Sequence, residues 1–154
     1  MKNIEYEYRN LPIPGGGYVT GFLFDQDREK VLYIRTDIGG CYRFSYENRH
    51  WDSLSESVNM FDLSETYPIA IATDLQQDET LYVISGINGE DTQGTFSISH
   101  DGGKTYMREI IPCFVHGNLN GRGTGYRLVQ NSKDKTTLYF ASQKDGVVVR
   151  RGKK

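Results

Sequence analysis

A dipeptide that recurs three times at nearly even spacing constrains this chain more than its composition does. Leu-Tyr stands at Leu32-Tyr33, Leu81-Tyr82 and Leu138-Tyr139, 49 and then 57 residues apart. Seven residues before each Leu lies a turn former, Asp25, Asp74 or Asn131, and eight after it lies Gly40, Gly89 or Gly146. A short strand-like run precedes each turn residue, at 19–24, 69–73 and 126–130. Each unit therefore reads as strand, polar turn, Leu-Tyr strand, glycine turn and third strand. No stretch carries a helical period. Self-similarity near 50 residues, built from short strands, predicts an all-β chain of propeller blades.

The second unit shows how a blade finishes. After its third strand comes Ser99-His100-Asp101-Gly102-Gly103-Lys104-Thr105-Tyr106, which fits S-x-D-x-G-x-T-[FYW], the Asp-box hairpin of many propellers. Asp101 can accept backbone N–H bonds inside the turn, Gly103 can supply a positive φ, and Tyr106 can pack beneath the loop. Ser99, Asp101, Gly103 and Tyr106 are thus expected to serve the fold. The first unit has a degenerate version in Ser45, Glu47 and Trp51, and the second carries an insertion at 88–93. Polar linkers with Met60, Phe61 and Leu63, and then a glycine-rich one at 113–124, join the units. The expected organisation is one partial propeller domain over residues 1–154, with four-stranded blades at about 17–57 and 67–112 and an incomplete third at about 124–154.

Composition removes several function classes. The chain of 154 residues is long enough for a core, and 11 Tyr and 7 Phe favour sheet. No apolar run approaches the roughly 20 residues of a membrane span. A net charge of −2 argues against a nucleic-acid footprint, and the basic end Arg150-Arg151-Gly152-Lys153-Lys154 reads as a solvated terminus. The opening, Met1 to Tyr6, has no apolar signal region, so the chain as it stands reads as cytoplasmic. Cys41 and Cys113 form no C-x-x-C pair and are expected as free, partly buried thiols. His50, His100 and His116 lack ligand spacing, so no metal is expected, and no cofactor either. Gly15-Gly16-Gly17 precedes a strand and is not a phosphate cradle. No serine sits in a nucleophile-elbow context.

One acid stands out. The strand Val31-Leu32-Tyr33-Ile34-Arg35-Thr36 runs into Asp37-Ile38-Gly39-Gly40. Asp37 lies five residues after Leu32, and the matching positions in the other units are Gly86 and Gln143. A residue that the blade requires should recur, and this carboxylate does not. It is expected to be solvent-accessible at the end of its strand, in the open space left by the two glycines. Tyr18 and Tyr126, each beside a glycine turn, are the aromatics best placed to line a cleft.

The strings Gly15-Gly16-Gly17-Tyr18-Val19-Thr20-Gly21, Leu32 to Arg43 and Trp51 resemble the opening of the xyloglucan-degrading glycoside hydrolases, built from two seven-bladed propellers with the substrate cleft between them. Gly121-Arg122-Gly123-Thr124-Gly125-Tyr126-Arg127-Leu128 is similar to that family's G-R-x-x-G-E-R-L segment, with Tyr126 where the family has Glu. The likeness covers roughly residues 12–150. The R-T-D-I-G-G-x-Y-R string is quite specific, whereas the Asp-box is shared with sialidases, sortilin-type receptors and photosystem-assembly factors. The resemblance implies inverting endo-hydrolysis of a β-1,4-glucan or xyloglucan, with Asp37 as general base; Tyr18, Arg35 and Tyr126 are the expected substrate-binding residues, the two tyrosines by stacking on sugar rings. Members are often secreted. The partner acid belongs to the family's second propeller and has no counterpart here. The resemblance therefore implies an N-terminal portion, inactive alone, completed by a missing propeller chain or left to self-associate. The alternative is a non-catalytic carbohydrate-binding or assembly module.

Overall fold

The computed structural model describes residues 4–25, 31–57, 63–87, 93–121 and 123–152. Three antiparallel sheets follow one another along the chain. The first contains β1 (Val19–Phe24), β2 (Val31–Thr36), β3 (Cys41–Ser45) and β4 (His50–Ser53) in that order. The second contains β5 (Pro68–Thr73), β6 (Leu81–Ser85), β7 (Gln93–Ser99) and β8 (Met107–Phe114). The third has β9 (Leu128–Gln130), β10 (Thr137–Ala141) and β11 (Val147–Arg151), with β10 in the middle. Among the described residues the only helical element is a 3₁₀ turn at Leu63–Thr66. The protein is an all-β partial propeller made of sequential meanders. Among the described residues, no helix is long and apolar enough to cross a membrane.

The Leu-Tyr strands β2, β6 and β10 are interior strands, each paired on both sides. Leu32 lies opposite Phe24 and Phe44, Leu81 opposite Thr73 and Ser99, and Leu138 opposite Gln130 and Arg150. β6 is buried at every position because sheets cover both of its faces, whereas β11 alternates between exposed and half-buried. Successive side chains point to opposite faces, so β2 feeds two clusters. Tyr33 joins Cys41, Leu54, Ile71, Leu81 and Val83 in the seam between the first two sheets. Leu32 and Ile34 join Tyr42, Phe44 and Trp51 on the other face, where Leu11 and Ile13 of the N-terminal segment pack. The seam between the second and third sheets is the largest cluster and includes Ile69, Ile84, Phe96, Val115, Leu138 and Phe140. Each such aliphatic or aromatic side chain contributes about 1.5–3 kcal/mol by leaving water.

In the second and third units the spacing between turn residue and tyrosine has a direct cause. Tyr82 donates its hydroxyl to Asp74, eight residues earlier, and Asn131 Nδ2 donates to the Tyr139 hydroxyl at 3.5 Å. The tyrosine thus ties its own strand to the preceding turn. Gln130 Nε2, from the third sheet, also donates to Asp74 at 2.7 Å, and Leu75 N–H donates to Gln130 Oε1 at 2.8 Å. Burial alone would raise the Asp74 carboxyl. The bonds from Tyr82, Gln130 and the amides of Gln76 and Gln77 outweigh it and hold the group below its ordinary value.

At the Ser99–Tyr106 hairpin, Asp101 Oδ1 accepts the amides of Lys104 and Thr105 at 3.0 and 2.9 Å, and Oδ2 accepts the Thr105 hydroxyl at 2.6 Å. Ser99 Oγ donates to Asp101 Oδ1 and accepts the Gly103 amide, both at 2.8 Å. Gly103 has a φ of +91°. Tyr106 is half-buried against the first seam, and its hydroxyl lies close under Gly103. The turn around Glu47 is built differently: Ser45 Oγ accepts the Asn48 amide at 3.4 Å, and Arg49 takes a φ of +51°. Cys41 and Cys113 are free and buried, and burial pushes their thiols up to about 12 and about 11. Residues 88–92 of the insertion at 88–93, Gly89 among them, Met60, Phe61, Arg122 and the final Lys153-Lys154 lie outside the described residues, and Gln93 opens β7.

Candidate functional site

Three stretches distant in sequence meet where β2 ends: the loop 15–18 before β1, the turn 36–40, and the loop 123–127 before β9. The turn 36–40 is closed by its own threonine. Thr36 N–H donates to the Gly40 carbonyl at 3.0 Å, and the Gly39 amide donates to Thr36 Oγ1 at 2.8 Å. Gly40 N–H then donates to the Thr66 carbonyl at 2.9 Å, which ties the turn to the 3₁₀ turn leading into the second sheet.

Asp37 is bound to Tyr18 twice. Its Oδ1 accepts the Tyr18 amide at 2.7 Å, and its own amide donates to the Tyr18 carbonyl at 3.0 Å. The second of these bonds recurs in the next sheet, where the Gly86 amide donates to the Tyr67 carbonyl at 3.1 Å. The blade therefore needs that backbone contact but not the carboxylate, which only Asp37 adds. In the third sheet the same register position, Gln143, accepts the His116 amide at 2.9 Å and donates to the His116 carbonyl at 3.1 Å.

The expected exposure of Asp37 needs correction, since the residue is only 5% exposed. The glycines do not leave open space beside it. They let the loop 15–17 close down: a Cβ on Gly39 would lie 2.1 Å from the Gly16 carbonyl oxygen, and one on Gly17 would lie 3.0 Å from Asp37 Oδ1. Tyr18 and Tyr126, by contrast, are 63% and 66% exposed, so both aromatic rings are open to a ligand.

Arg35 is at the other extreme, 2% exposed, and its guanidinium presents no face to solvent for a glycan to meet. Its Nη1 donates to Thr20 Oγ1 at 2.6 Å, and Nη2 donates to the carbonyls of Gly123 and Gly125 at 2.9 and 2.8 Å. Burial lowers its pKa to about 10, so it stays charged at neutral pH. Arg127 shares the Gly123 carbonyl through Nε at 3.0 Å and reaches the Ala141 carbonyl through Nη1 at 3.0 Å. Sequence reading missed Thr20, Gly123 and Arg127 as members of this cluster, because what joins them is the reach of Arg35 to backbone carbonyls 88 and 90 residues along the chain, which no motif marks. Among the described residues no group of His, Cys, Asp and Glu could hold a metal ion.

No family model matches the chain. It is 33% identical over 142 residues to a xyloglucanase of Paenibacillus sp, a match that covers 90% of this chain and 14% of that enzyme. It is 30% identical over 147 residues to the xyloglucanase Xgh74A of Acetivibrio thermocellus, covering 93% of this chain and 18% of the enzyme. The crystal structure of the GH74 xyloglucanase from Xanthomonas campestris superposes with a TM-score of 0.80 at 30% identity, over 95% of this chain and 21% of that one. The sequence match and the structural match agree, so the chain corresponds, over nearly its whole length, to one segment of the much larger GH74 xyloglucanases.

Proposed function

We propose that this chain supplies part of the catalytic propeller of a xyloglucan-degrading glycoside hydrolase, with Asp37 as general base. Asp37 carries the reading because it is the one acid at its register position and is bonded to Tyr18, whose ring is open to solvent. In an inverting reaction Asp37 removes a proton from the attacking water as its oxygen bonds to the anomeric carbon, while a second carboxyl group protonates the departing glycosidic oxygen. The two carboxyls then sit roughly 6.5–9.5 Å apart. Tyr18 and Tyr126 offer ring faces for stacking on the glucan backbone. A base held at low exposure suits this chemistry, since only a water must reach it.

The acid comes from outside this segment, so the chain alone binds xyloglucan oligosaccharide without releasing new reducing ends. Two measurements check this: calorimetric titration with a xyloglucan oligosaccharide, and reducing-end release from xyloglucan. Truncating Tyr18 or Tyr126 to Ala is expected to weaken binding by roughly fivefold or more, in the range of a lost aromatic contact. Hydrolysis by the purified chain, abolished in Asp37→Asn, would instead show that it holds its own acid. A non-catalytic glycan-binding module is the second reading. It is favoured by the bond from the Tyr18 amide to Asp37, which gives the carboxylate a structural task. It predicts that Asp37→Asn leaves the turnover of a completed enzyme intact.

A further inference from the structure

We propose that Arg35 is a positioning residue for the candidate site: its buried guanidinium clamps the loop 123–126 of the third sheet to the strand that ends in Asp37, and so fixes Tyr126 relative to Asp37. The role in glycan binding rests on the reading of Asp37 and Tyr126 above; the clamp itself does not.

The chain of contacts is continuous. Arg35 stands two residues before Asp37 on β2, and opposite it on β1 lies Gly21. A Cβ on Gly21 would come 3.0 Å from Arg35 Nε, so the guanidinium lies flat over the β1 backbone at a place only glycine leaves free. From there it reaches Thr20 with one nitrogen and two carbonyls of the distant loop with the other. Those carbonyls belong to Gly123 and Gly125, and Tyr126 follows directly. Gly123 and Gly125 have φ values of +56° and +88°, so this loop has no regular ladder of its own to fix it. Among the described residues, the loop's other side-chain anchor is Arg127, which also bonds Gly123. The planar fork of arginine is what allows one side chain to hold β1 and two loop carbonyls together, and a lysine ammonium cannot reproduce that geometry. All the acceptors are neutral, so the clamp needs no carboxylate.

Amide hydrogen exchange on the full chain tests the clamp without any ligand. Arg35→Met should raise exchange across residues 123–127 at least about tenfold while the amides of Leu138, Tyr139 and Phe140 in β10 keep their protection. Arg35→Lys should behave like Arg35→Met. Thr20→Val, which removes one acceptor with little change of shape, should give a smaller rise confined to the same loop. It also serves as the test if Arg35→Met fails to fold. A parallel rise throughout the third sheet would make Arg35 a general stabiliser and overturn the proposal, as would unchanged exchange at 123–127. Titration with a xyloglucan oligosaccharide adds the functional arm. Arg35→Met should weaken binding by about as much as Tyr126→Ala, and the double variant should lose no more than either alone. If the parent chain does not bind the oligosaccharide, the proposed function fails, while the exchange result still decides whether Arg35 clamps the loop. Independent, additive losses would mean that Arg35 does not act through Tyr126, and would overturn the positioning role.

Discussion

Asp37 and Asp101 are both aspartates followed closely by a glycine pair, and the molecule uses them in opposite ways. Asp101 is half-exposed, yet its carboxylate is taken up within its own turn by two amides and two hydroxyls, all from residues 99–105. Asp37 is nearly buried, yet its side-chain bond reaches back 19 residues to Tyr18. Exposure is therefore a poor guide to which acid serves the fold. For this pair the sequence distance to the donors separates them better: the donors to Asp101 are all local and make a turn, whereas the donor to Asp37 is remote and marks a place where separate segments converge. The glycines differ in the same sense. Gly103 is needed for its own backbone angle, whereas Gly39 is needed so that another segment can come close.

The sharpest way to break this contrast is turnover in a completed enzyme. If this chain replaces the homologous segment of the Paenibacillus xyloglucanase, Asp37→Asn should lower the rate of reducing-end release by about 10²-fold or more, as loss of a general base does. Asn keeps an acceptor for the Tyr18 amide, so the turn should survive and glycan binding should persist. Asp101→Asn in the same chimera should leave the rate within about twofold. Equal effects from the two substitutions would erase the functional distinction between them.

The fold was legible because a repeat announces itself at several positions at once. The Leu-Tyr pairs, the turn residues before them and the Asp101 hairpin each mark a different part of the meander, and the strands lie where those marks agree. The reason for the spacing was not legible, since nothing in the string shows that Tyr82 and Tyr139 hydrogen-bond to the turn residue eight positions back. In the candidate site the sequence signals were an acid that departs from the repeat, Asp37, and two tyrosines beside glycine turns, Tyr18 and Tyr126. The depth of the site was not legible. Whether a glycine pair opens space or lets a neighbour fill it depends on a segment elsewhere, here the loop 15–17. For the same reason Arg35 reads from sequence as a substrate contact, although its charge is spent inside the protein on carbonyls of residues 123 and 125.

Stability should reverse the order of the two acids. Asp101→Ala removes the acceptor for two amides and two hydroxyls and should lower Tm by a few degrees, as loss of a capping side chain does. Asp37→Asn retains its shape and one acceptor and should move Tm by less. Thermal melts of the two variants beside the parent decide the matter. A larger drop for Asp37→Asn would show that the bond to the Tyr18 amide holds the fold more firmly than the hairpin does.

The smallest expected effect is a pH dependence, and it isolates the Asp101 carboxylate from the rest of the turn. Hydrogen bonds from the Thr105 hydroxyl, the Thr105 amide and the Ser99 hydroxyl hold this group well below the usual carboxylate range. Its folded pKa is therefore depressed relative to an unfolded value of about 3.9. The ionised form is the one that folding favours. Its stabilisation is fully present above the unfolded value and fades as the pH falls towards the folded one. The difference in Tm between the parent and Asp101→Ala should consequently be the same at pH 7 and pH 5 and should narrow at pH 3. Subtracting the variant removes the contributions of the other carboxylates, such as Glu109, whose value Arg150 also lowers. A gap that widened on acidification would mean that the protonated carboxyl is the better partner in the turn, its one O–H donating from Oδ2 to the Thr105 hydroxyl while the amides of Lys104 and Thr105 go on donating to Oδ1.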